Sequence, residues 1–349
     1  MTPKIASADD RALAAPSVNL TLLLAMQAAM QPRKPFLVRA DGKAWTFQET
    51  DIAAAHLAWL LNQLGVAKGD RVILMAPNSD RAAITLAGLL RGGFQPFLAP
   101  TDLPFADGFA ITTNTRPTAV IAENVGASGA TIEAAARLAA ASASVRFVLG
   151  FGPGLPKGVM DLSPRLERIR DGAIDVQRAD DAVETATLMA ALPGGEIAEI
   201  ALAPLLATCA DLGSTASLRS GDRIVSPLPL RDPVGLAAGL FAGLFAGSEL
   251  ALLDAPDRRA LAAAFDTQRA CHLVWPAAHD HLAAELLKDQ PPLRSLIRRC
   301  RDLDEEQQNA APDLRAEHIV NIATRPGGAL RVGALRSEAS PLRQTRAAS

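Results

Sequence analysis

The chain has 349 residues, of which 49% are hydrophobic and 21% are charged, and its formal net charge at pH 7 is −2. This is the balance of a globular protein, and so small a net charge supplies no field that would attract nucleic acid or an anionic membrane. The three cysteines, Cys209, Cys271 and Cys300, are far apart and form no CxxC pair. That spacing excludes a disulfide framework and a cysteine-rich zinc site, and it favours a cytoplasmic location.

An uncharged segment, residues 234–246, carries glycines at Gly235, Gly239 and Gly243. Asp232 precedes the segment and Glu249 follows it, so the uncharged run is shorter than the roughly 20 residues that a membrane span needs. We therefore expect a buried helix that packs against a sheet, and no membrane span.

Strands and helices alternate along most of the chain. Thr46 followed by Glu49 forms a capping box, which predicts a helix that ends near Gly65. A further helix is predicted at residues 80–91, between two strands, as expected of parallel βαβ winding. Strands are predicted at residues 36–38, 45–47, 71–75, 97–98, 119–122, 145–149, 187–189, 224–225, 250–253 and 272–275.

The composition divides the chain into four parts. Residues 1–17 are rich in Ala, Asp and Pro and predict a tail. Residues 18–180 and 181–322 predict a first and a second α/β subdomain, with a crossing segment at about 150–181. Residues 323–349 show little apolar periodicity, so a loosely ordered tail is expected there.

Several sequence blocks lie in a recurring order. Their order and spacing resemble the N-terminal domain of the acyl-CoA synthetases and related AMP-binding, adenylate-forming enzymes. The resemblance implies an α/β fold of two stacked subdomains with mostly parallel sheets. The blocks are WTF at 45–47, GVAKGDRV at 65–72, PNS at 77–79, LLRGGFQPFLAP at 89–100, GDRIVSPLPL at 221–230, GSELALL at 247–253 and HLVWP at 272–276.

The resemblance also implies where ATP would bind. The family has a loop rich in Ser, Thr and Gly that ends in Pro-Lys-Gly, after a strand at the position of residues 187–189. Backbone N–H groups, hydroxyls and the lysine of such a loop surround the phosphates. At this position the chain has Pro193, Gly194, Gly195 and Glu196, with neither hydroxyl nor lysine. The sequence therefore predicts a degenerate phosphate loop.

Other family features are replaced or missing. Arg231 stands where the family often has a histidine in the substrate-pocket loop. The family's aromatic-Gly-x-Thr-Glu motif is reduced to a remnant at residues 321–325, and its small C-terminal domain with a catalytic lysine has no counterpart before Ser349. We expect no catalytic residues, no metal and no cofactor.

Two functions follow from the resemblance. The first is a pseudoenzyme that acts as a binding, scaffold or regulatory protein. An acyl-type ligand is then expected in a cleft formed by Pro227, Leu230, Arg231, Trp275 and His279. The alternative is an active acid–AMP ligase or acyl-CoA synthetase that binds ATP and magnesium and is completed by a separate C-terminal domain.

A protein partner is expected as well. In the family, the small domain closes over the face near the phosphate loop. Without this cover, Leu192 and Ile197 would form an exposed apolar patch, and such patches usually mark interaction sites. We expect self-association or a heteromeric complex at this face.

The remaining polar residues have ordinary interpretations. His279, His281 and Glu285 show no HExxH pattern, so a helix surface is favoured over a metal site. Glu123 is interpreted as a strand-end carboxylate. The arginines at 298–301 are interpreted as a solvated face, not as a nucleic-acid site.

Overall fold

The computed structural model describes the chain apart from short gaps and the two ends. Fifteen strands and ten α-helices lie in the described part. The described residues are 19–39, 41–125, 129–152, 154–172, 185–191, 196–254, 257–265, 268–301, 303, 315–324 and 330–335.

The strands fall where apolar or β-branched residues cluster between turns. The capping box and the strand at 71–75 are as predicted, and the strand predicted at 187–189 continues to Ala191. The strands are β1 (Pro35–Val38), β2 (Ala44–Thr46), β3 (Arg71–Met75), β4 (Gln95–Ala99), β5 (Ala119–Glu123), β6 (Phe147–Phe151), β7 (Met160–Asp161), β8 (Thr187–Ala191), β9 (Ile197–Ala201), β10 (Arg223–Ser226), β11 (Glu249–Leu252), β12 (Cys271–Pro276), β13 (Leu293–Cys300), β14 (Ala316–Thr324) and β15 (Leu330–Leu335).

Four of the ten α-helices begin at a residue whose side chain accepts a hydrogen bond from a backbone amide of the first turn. Thr46 accepts a hydrogen bond from the amide of Glu49, whose carboxylate accepts from the Thr46 amide, and Ser79 caps the next helix through the amide of Ala82. The helices are α1 (Leu20–Met30), α2 (Phe47–Gln63), α3 (Asp80–Arg91), α4 (Phe105–Thr115), α5 (Ala130–Ala141), α6 (Ser163–Arg170), α7 (Leu202–Thr215), α8 (Ala242–Ala246), α9 (Arg258–Ala264) and α10 (Asp280–Leu286). The four capped helices are α1, α2, α3 and α9.

Two mostly parallel sheets organise the described residues. The seven-stranded sheet has the order β7-β6-β5-β3-β4-β8-β9, and the eight-stranded sheet has the order β15-β14-β13-β12-β10-β11-β1-β2. In each sheet only edge strands run antiparallel to their neighbours: β9 in the first, and β2 and β15 in the second. The predicted α/β fold with mostly parallel sheets is therefore confirmed.

The two sheets do not follow the division of the chain at residue 180. The hairpin β1–β2 joins the eight-stranded sheet, where Leu37 pairs with Leu250. The hairpin β8–β9 joins the seven-stranded sheet, where Phe97 pairs with Met189. The chain thus crosses between the sheets in both directions.

Helices and sheets alternate in five layers. One continuous core includes residues of both sheets and of the helices between them, such as Leu74, Leu240 and Val274. The outer face of the seven-stranded sheet packs on α4 and α5, and that of the eight-stranded sheet packs on α9 and α10. Burial on both faces explains why the strands are almost continuously apolar.

The glycine-rich segment is a buried helix, as predicted. Residues Gly235–Phe241 form a π-helix that continues into α8, and all seven of its residues are buried. Gly235 is required because a Cβ atom there would lie 2.6 Å from the carbonyl oxygen of Pro229. None of the helices in the described part of the chain has the length and apolar character of a membrane-crossing segment.

Two segments predicted as a crossing segment and a tail contain regular structure in their described parts. The crossing segment at 150–181 contains β7 and α6. The tail expected after residue 322 contains the end of β14 and all of β15, whose Leu330 and Val332 pack against the central core. The alternation of Leu330 and Val332 with Arg331 and Gly333 is the period-2 pattern of a half-buried strand, but six residues are too few for it to stand out.

Candidate functional site

The carboxyl ends of strands from both sheets meet at Asn78. This residue follows β3, and its Nδ2 donates to the carbonyl oxygens of Ser226, Leu228 and Leu253 at 2.9, 3.0 and 3.1 Å. One buried amide thereby joins β3 to the loops after β10 and β11. Ligands of open parallel sheets bind at the carboxyl ends of the strands, so this junction is where a functional site is expected.

Two of the five residues predicted to form a cleft lie at a switch point of the eight-stranded sheet. β10 and β12 are neighbours, but the chain leaves β10 towards β11 and returns to the other side of β10. Leu230 and Arg231 follow β10 and line a cavity that also includes Asn78 and Leu98.

This cavity is small in the structure. Its volume is about 20 Å³, room for one water molecule, whereas small-molecule sites usually measure about 300–1,000 Å³. The predicted cleft residues do not surround one space. Pro227 is half-buried and His279 is exposed.

Trp275 was expected in the cleft wall, and it lies instead in the core. It is 1% exposed and packs with the outer layer formed by α9 and α10. Its Nε1 donates to the carbonyl oxygen of His279 at 3.0 Å. Along β12, Val274 faces the central core and Trp275 faces the opposite side, because neighbouring residues of a strand point to opposite faces.

The predicted position of the phosphate loop lies in a hairpin at the edge of the seven-stranded sheet. β8 and β9 pair antiparallel, with Met189 opposite Glu199. Leu192, Pro193, Gly194 and Gly195 lie outside the described residues. Glu196 and Glu199 are described, and both are exposed. The described part of this hairpin therefore presents carboxylates, and residues 188–199 contain no Lys, Arg, Ser or Thr.

A buried acid lies at the second switch point, where the sequence indicated only a strand-end carboxylate. In the seven-stranded sheet, β4 lies on one side of β3, whereas β5 and then β6 lie on the other side. A ligand-binding site is therefore expected between the carboxyl ends of β3 and β5. Glu123 ends β5, is 7% exposed, and accepts a hydrogen bond from the Ser79 hydroxyl at 2.5 Å. Arg81 lies 3.6 Å away. The signal is the strand order, which a single sequence does not display.

Burial raises the pKa of Glu123 from its ordinary value of 4.5 to about 7, although the hydrogen bond from Ser79 and the charge of Arg81 oppose this rise. Between these two values the folded protein binds more protons than the unfolded chain. The protein therefore loses stability as the pH rises through this window, by about 3 kcal/mol.

We expect Glu123→Gln to remove this loss. The free energy of unfolding of the variant relative to the native protein should rise by about 3 kcal/mol between about pH 4 and pH 8, as measured by urea denaturation. Glu133→Gln, on the surface of α5, is the control and should show no such change. A constant difference for Glu123→Gln across this range would contradict the raised pKa.

The buried histidine and arginine have structural partners. His272 contacts Ser295 at 2.7 Å and Asp222 at 3.0 Å within the eight-stranded sheet. Arg298, expected on a solvated face, is 2% exposed and donates to Asp280 at 2.8 Å. Burial raises the pKa of Asp280, and Arg298 offsets part of the rise. Across the described ranges, no three His, Cys, Asp or Glu side chains are grouped as metal ligands.

Comparison with known proteins shows which sequence family part of this chain matches. Residues 24–172 match the family described as AMP-binding enzyme, which confirms the resemblance found in the sequence over this part of the chain. No curated protein matches the chain.

Solved structures extend the likeness to most of the chain. The N-terminal domain of FACL13 from Mycobacterium tuberculosis has a TM-score of 0.67 and 19% identity, covering 88% of this chain and 76% of that one. A fatty acyl CoA synthetase from the same organism has a TM-score of 0.66 and 19% identity, with coverages of 86% and 58%. A benzoate CoA ligase from Burkholderia xenovorans has a TM-score of 0.68 and 20% identity, with coverages of 88% and 60%.

These comparisons define the class of the fold. The chain has the α/β fold of the N-terminal domain of acyl-CoA synthetases, with an AMP-binding-family sequence match over residues 24–172. It spans 58–60% of the length of the two full-length enzymes.

Proposed function

We propose that this protein is a binding protein that keeps the fold of an acyl-CoA synthetase N-terminal domain without its adenylate chemistry. The observation that carries the proposal is the hairpin β8–β9. Residues 188–199 contain no Lys, Arg, Ser or Thr, and Glu196 and Glu199 are exposed where a phosphate loop would need positive charge and hydroxyls.

Electrostatics supports this reading of the hairpin. Two like unit charges about 4 Å apart repel by roughly 1 kcal/mol in water and by several times more where water is partly excluded. A triphosphate carries several negative charges, and its transfer chemistry needs stabilisation of further charge. Two carboxylates at this position oppose both the binding and the reaction.

The test is exchange of labelled pyrophosphate into ATP in the presence of fatty, aryl and amino acids. We expect no exchange above the blank with any acid. Exchange that depends on one acid would overturn the proposal and support an active ligase. Exchange only after addition of a separate C-terminal domain would support the alternative of a ligase completed by a second polypeptide.

A binding protein needs a surface for its partner, and β9 offers one. It is one of the two edge strands of the seven-stranded sheet, and Ile197 is 41% exposed. Unpaired edge strands pair readily with another chain. We propose that a second copy of this protein pairs with this edge at Ile197.

Replacing Ile197 with Asp is then expected to convert a dimer into a monomer, because the charge would be buried in the new interface. Light scattering measures the mass, and circular dichroism checks that the variant is folded. Val125→Asp is the control, since Val125 is also exposed, at 40%, but lies after β5. A native protein that is monomeric at all concentrations would refute this self-association.

A further inference from the structure

A second cleft lies on the other side of the Asn78 junction. Its inner cavity, of about 310 Å³, lies between the carboxyl ends of β1 and β11 of one sheet and of β3 and β5 of the other. An outer cavity of about 230 Å³ adjoins it, between the hairpin β1–β2 and α6. Arg39, Asp80 and Arg81 line both cavities. We call the two together the junction cleft; its size is that of ordinary small-molecule sites, about 300–1,000 Å³.

The outer cavity is rich in cations whose donors remain available. It is lined by Arg39, Lys43, Arg81 and Arg170, against two carboxylates. Arg39 lies 3.5 Å from Asp41 and 3.9 Å from Asp80, and Arg81 lies 3.6 Å from Glu123. These distances exceed the 2.7–3.2 Å of a good N–H···O hydrogen bond. The guanidinium groups can therefore still donate to a ligand.

Three of the four carboxylates that line the cleft accept hydrogen bonds from other donors. Asp80 accepts from the indole Nε1 of Trp45 at 2.8 Å, and Asp254 accepts from the backbone amide of Asn78 at 3.2 Å. Glu123 accepts from Ser79. Glu123 and Asp254 both line the inner cavity. Their fixed oxygens are acceptors for hydroxyl groups.

The geometry also places the start of α3 in the cleft. Asp80 and Arg81 are the first two residues of this 12-residue helix. Amides in the first turn of a helix have no acceptor within the helix and carry partial positive charge. The helix start therefore adds to the attraction that the arginines exert on an anion.

We propose that the junction cleft binds a phosphorylated polyol or sugar. The phosphate lies in the outer cavity, where Arg39, Lys43 and Arg81 donate to its oxygens, since guanidinium groups match phosphate geometry. The hydroxyls of the organic part donate to Glu123 and Asp254 in the inner cavity. This site uses no residue of the hairpin β8–β9, so it is independent of the loss of adenylate chemistry.

Calorimetric titration of the full chain with glycerol 3-phosphate, inorganic phosphate and glycerol tests the assignment. We expect glycerol 3-phosphate to bind best, phosphate to bind about tenfold more weakly because it lacks the hydroxyl contacts, and glycerol not to bind. Absence of binding by both phosphate compounds at millimolar concentration would overturn the proposal. Equal affinity for the two would overturn the hydroxyl contacts in the inner cavity.

Two matched variants separate the cleft from general surface charge. Arg81→Gln should weaken the binding of glycerol 3-phosphate at least tenfold, because the substitution removes charge-assisted hydrogen bonds. Arg294→Gln is the control: its side chain is also 27% exposed and 3.6 Å from a glutamate, but it lines neither cavity. Equal effects of the two variants would overturn the site. Lys43→Gln, on the exposed hairpin turn, repeats the test at a position where unfolding is not expected.

Discussion

Replacing Asn78 with Asp is expected to lower the free energy of unfolding at neutral pH by about 4–5 kcal/mol. The native amide donates to three carbonyl oxygens at the junction of the two sheets. A carboxylate has no hydrogen to donate, so its charge would be buried against the oxygens of Ser226, Leu228 and Leu253. Urea denaturation followed by circular dichroism measures the loss.

Two further variants isolate the cause. Asn78→Ala should lower the free energy of unfolding by less, about 3 kcal/mol, because it removes the donors without adding a charge. Asn114→Ala, at an exposed position of α4, should change stability by under about 0.5 kcal/mol. If Asn78→Asp and Asn78→Ala were both as stable as the native protein, the two sheets would not depend on this amide.

Replacing Arg298 with Met is expected to lower the free energy of unfolding by about 3–5 kcal/mol. This is the usual effect of removing one partner of a buried ion pair. Arg298 also donates to the Asn321 side chain at 3.1 Å, so Met would leave both Asp280 and Asn321 without this donor. The loss should shrink at low pH, because Asp280 can then be neutralised by a proton. Thermal and urea unfolding at two pH values measure it.

The neighbouring arginine provides the control. Arg299 pairs with Asp232 at 2.8 Å, but its side chain is 47% exposed. Exposed ion pairs contribute about 0–1 kcal/mol, so Arg299→Met should have a small effect. Equal losses for the two variants would show that burial is not what makes the Arg298 pair important.

Local patterns in the sequence predicted many single elements but not the sheets that they join. The hairpin β1–β2 and the capping box of α2 depend on residues within a few positions of one another. The pairing of Leu37 with Leu250 depends on residues more than 200 positions apart, and neither strand carries a mark of its partner. For the same reason the division at residue 180 did not describe the sheets.

Prediction of the site was limited for the same reason, because local features could be predicted and features set by distant strands could not. A degenerate phosphate loop could be predicted because such a loop depends on residue types in one short segment. It stays a prediction, and the described part of the hairpin carries exposed Glu196 and Glu199. The roles of Glu123 and Trp275 depend on strand order and on which face of a strand is covered. A strand buried on both faces is apolar throughout, so the sequence of β12 does not show which side Trp275 faces.

Titration with Mg-ATP tests the central claim most directly. The claim is that exposed carboxylates replaced the groups that hold phosphates at the hairpin β8–β9. The native protein, shown to be folded by circular dichroism, is titrated by calorimetry with ATP and magnesium. We predict no binding heat at millimolar concentration, because Glu196 and Glu199 repel the triphosphate and no lysine lies in residues 188–199. Micromolar binding of Mg-ATP would contradict the account.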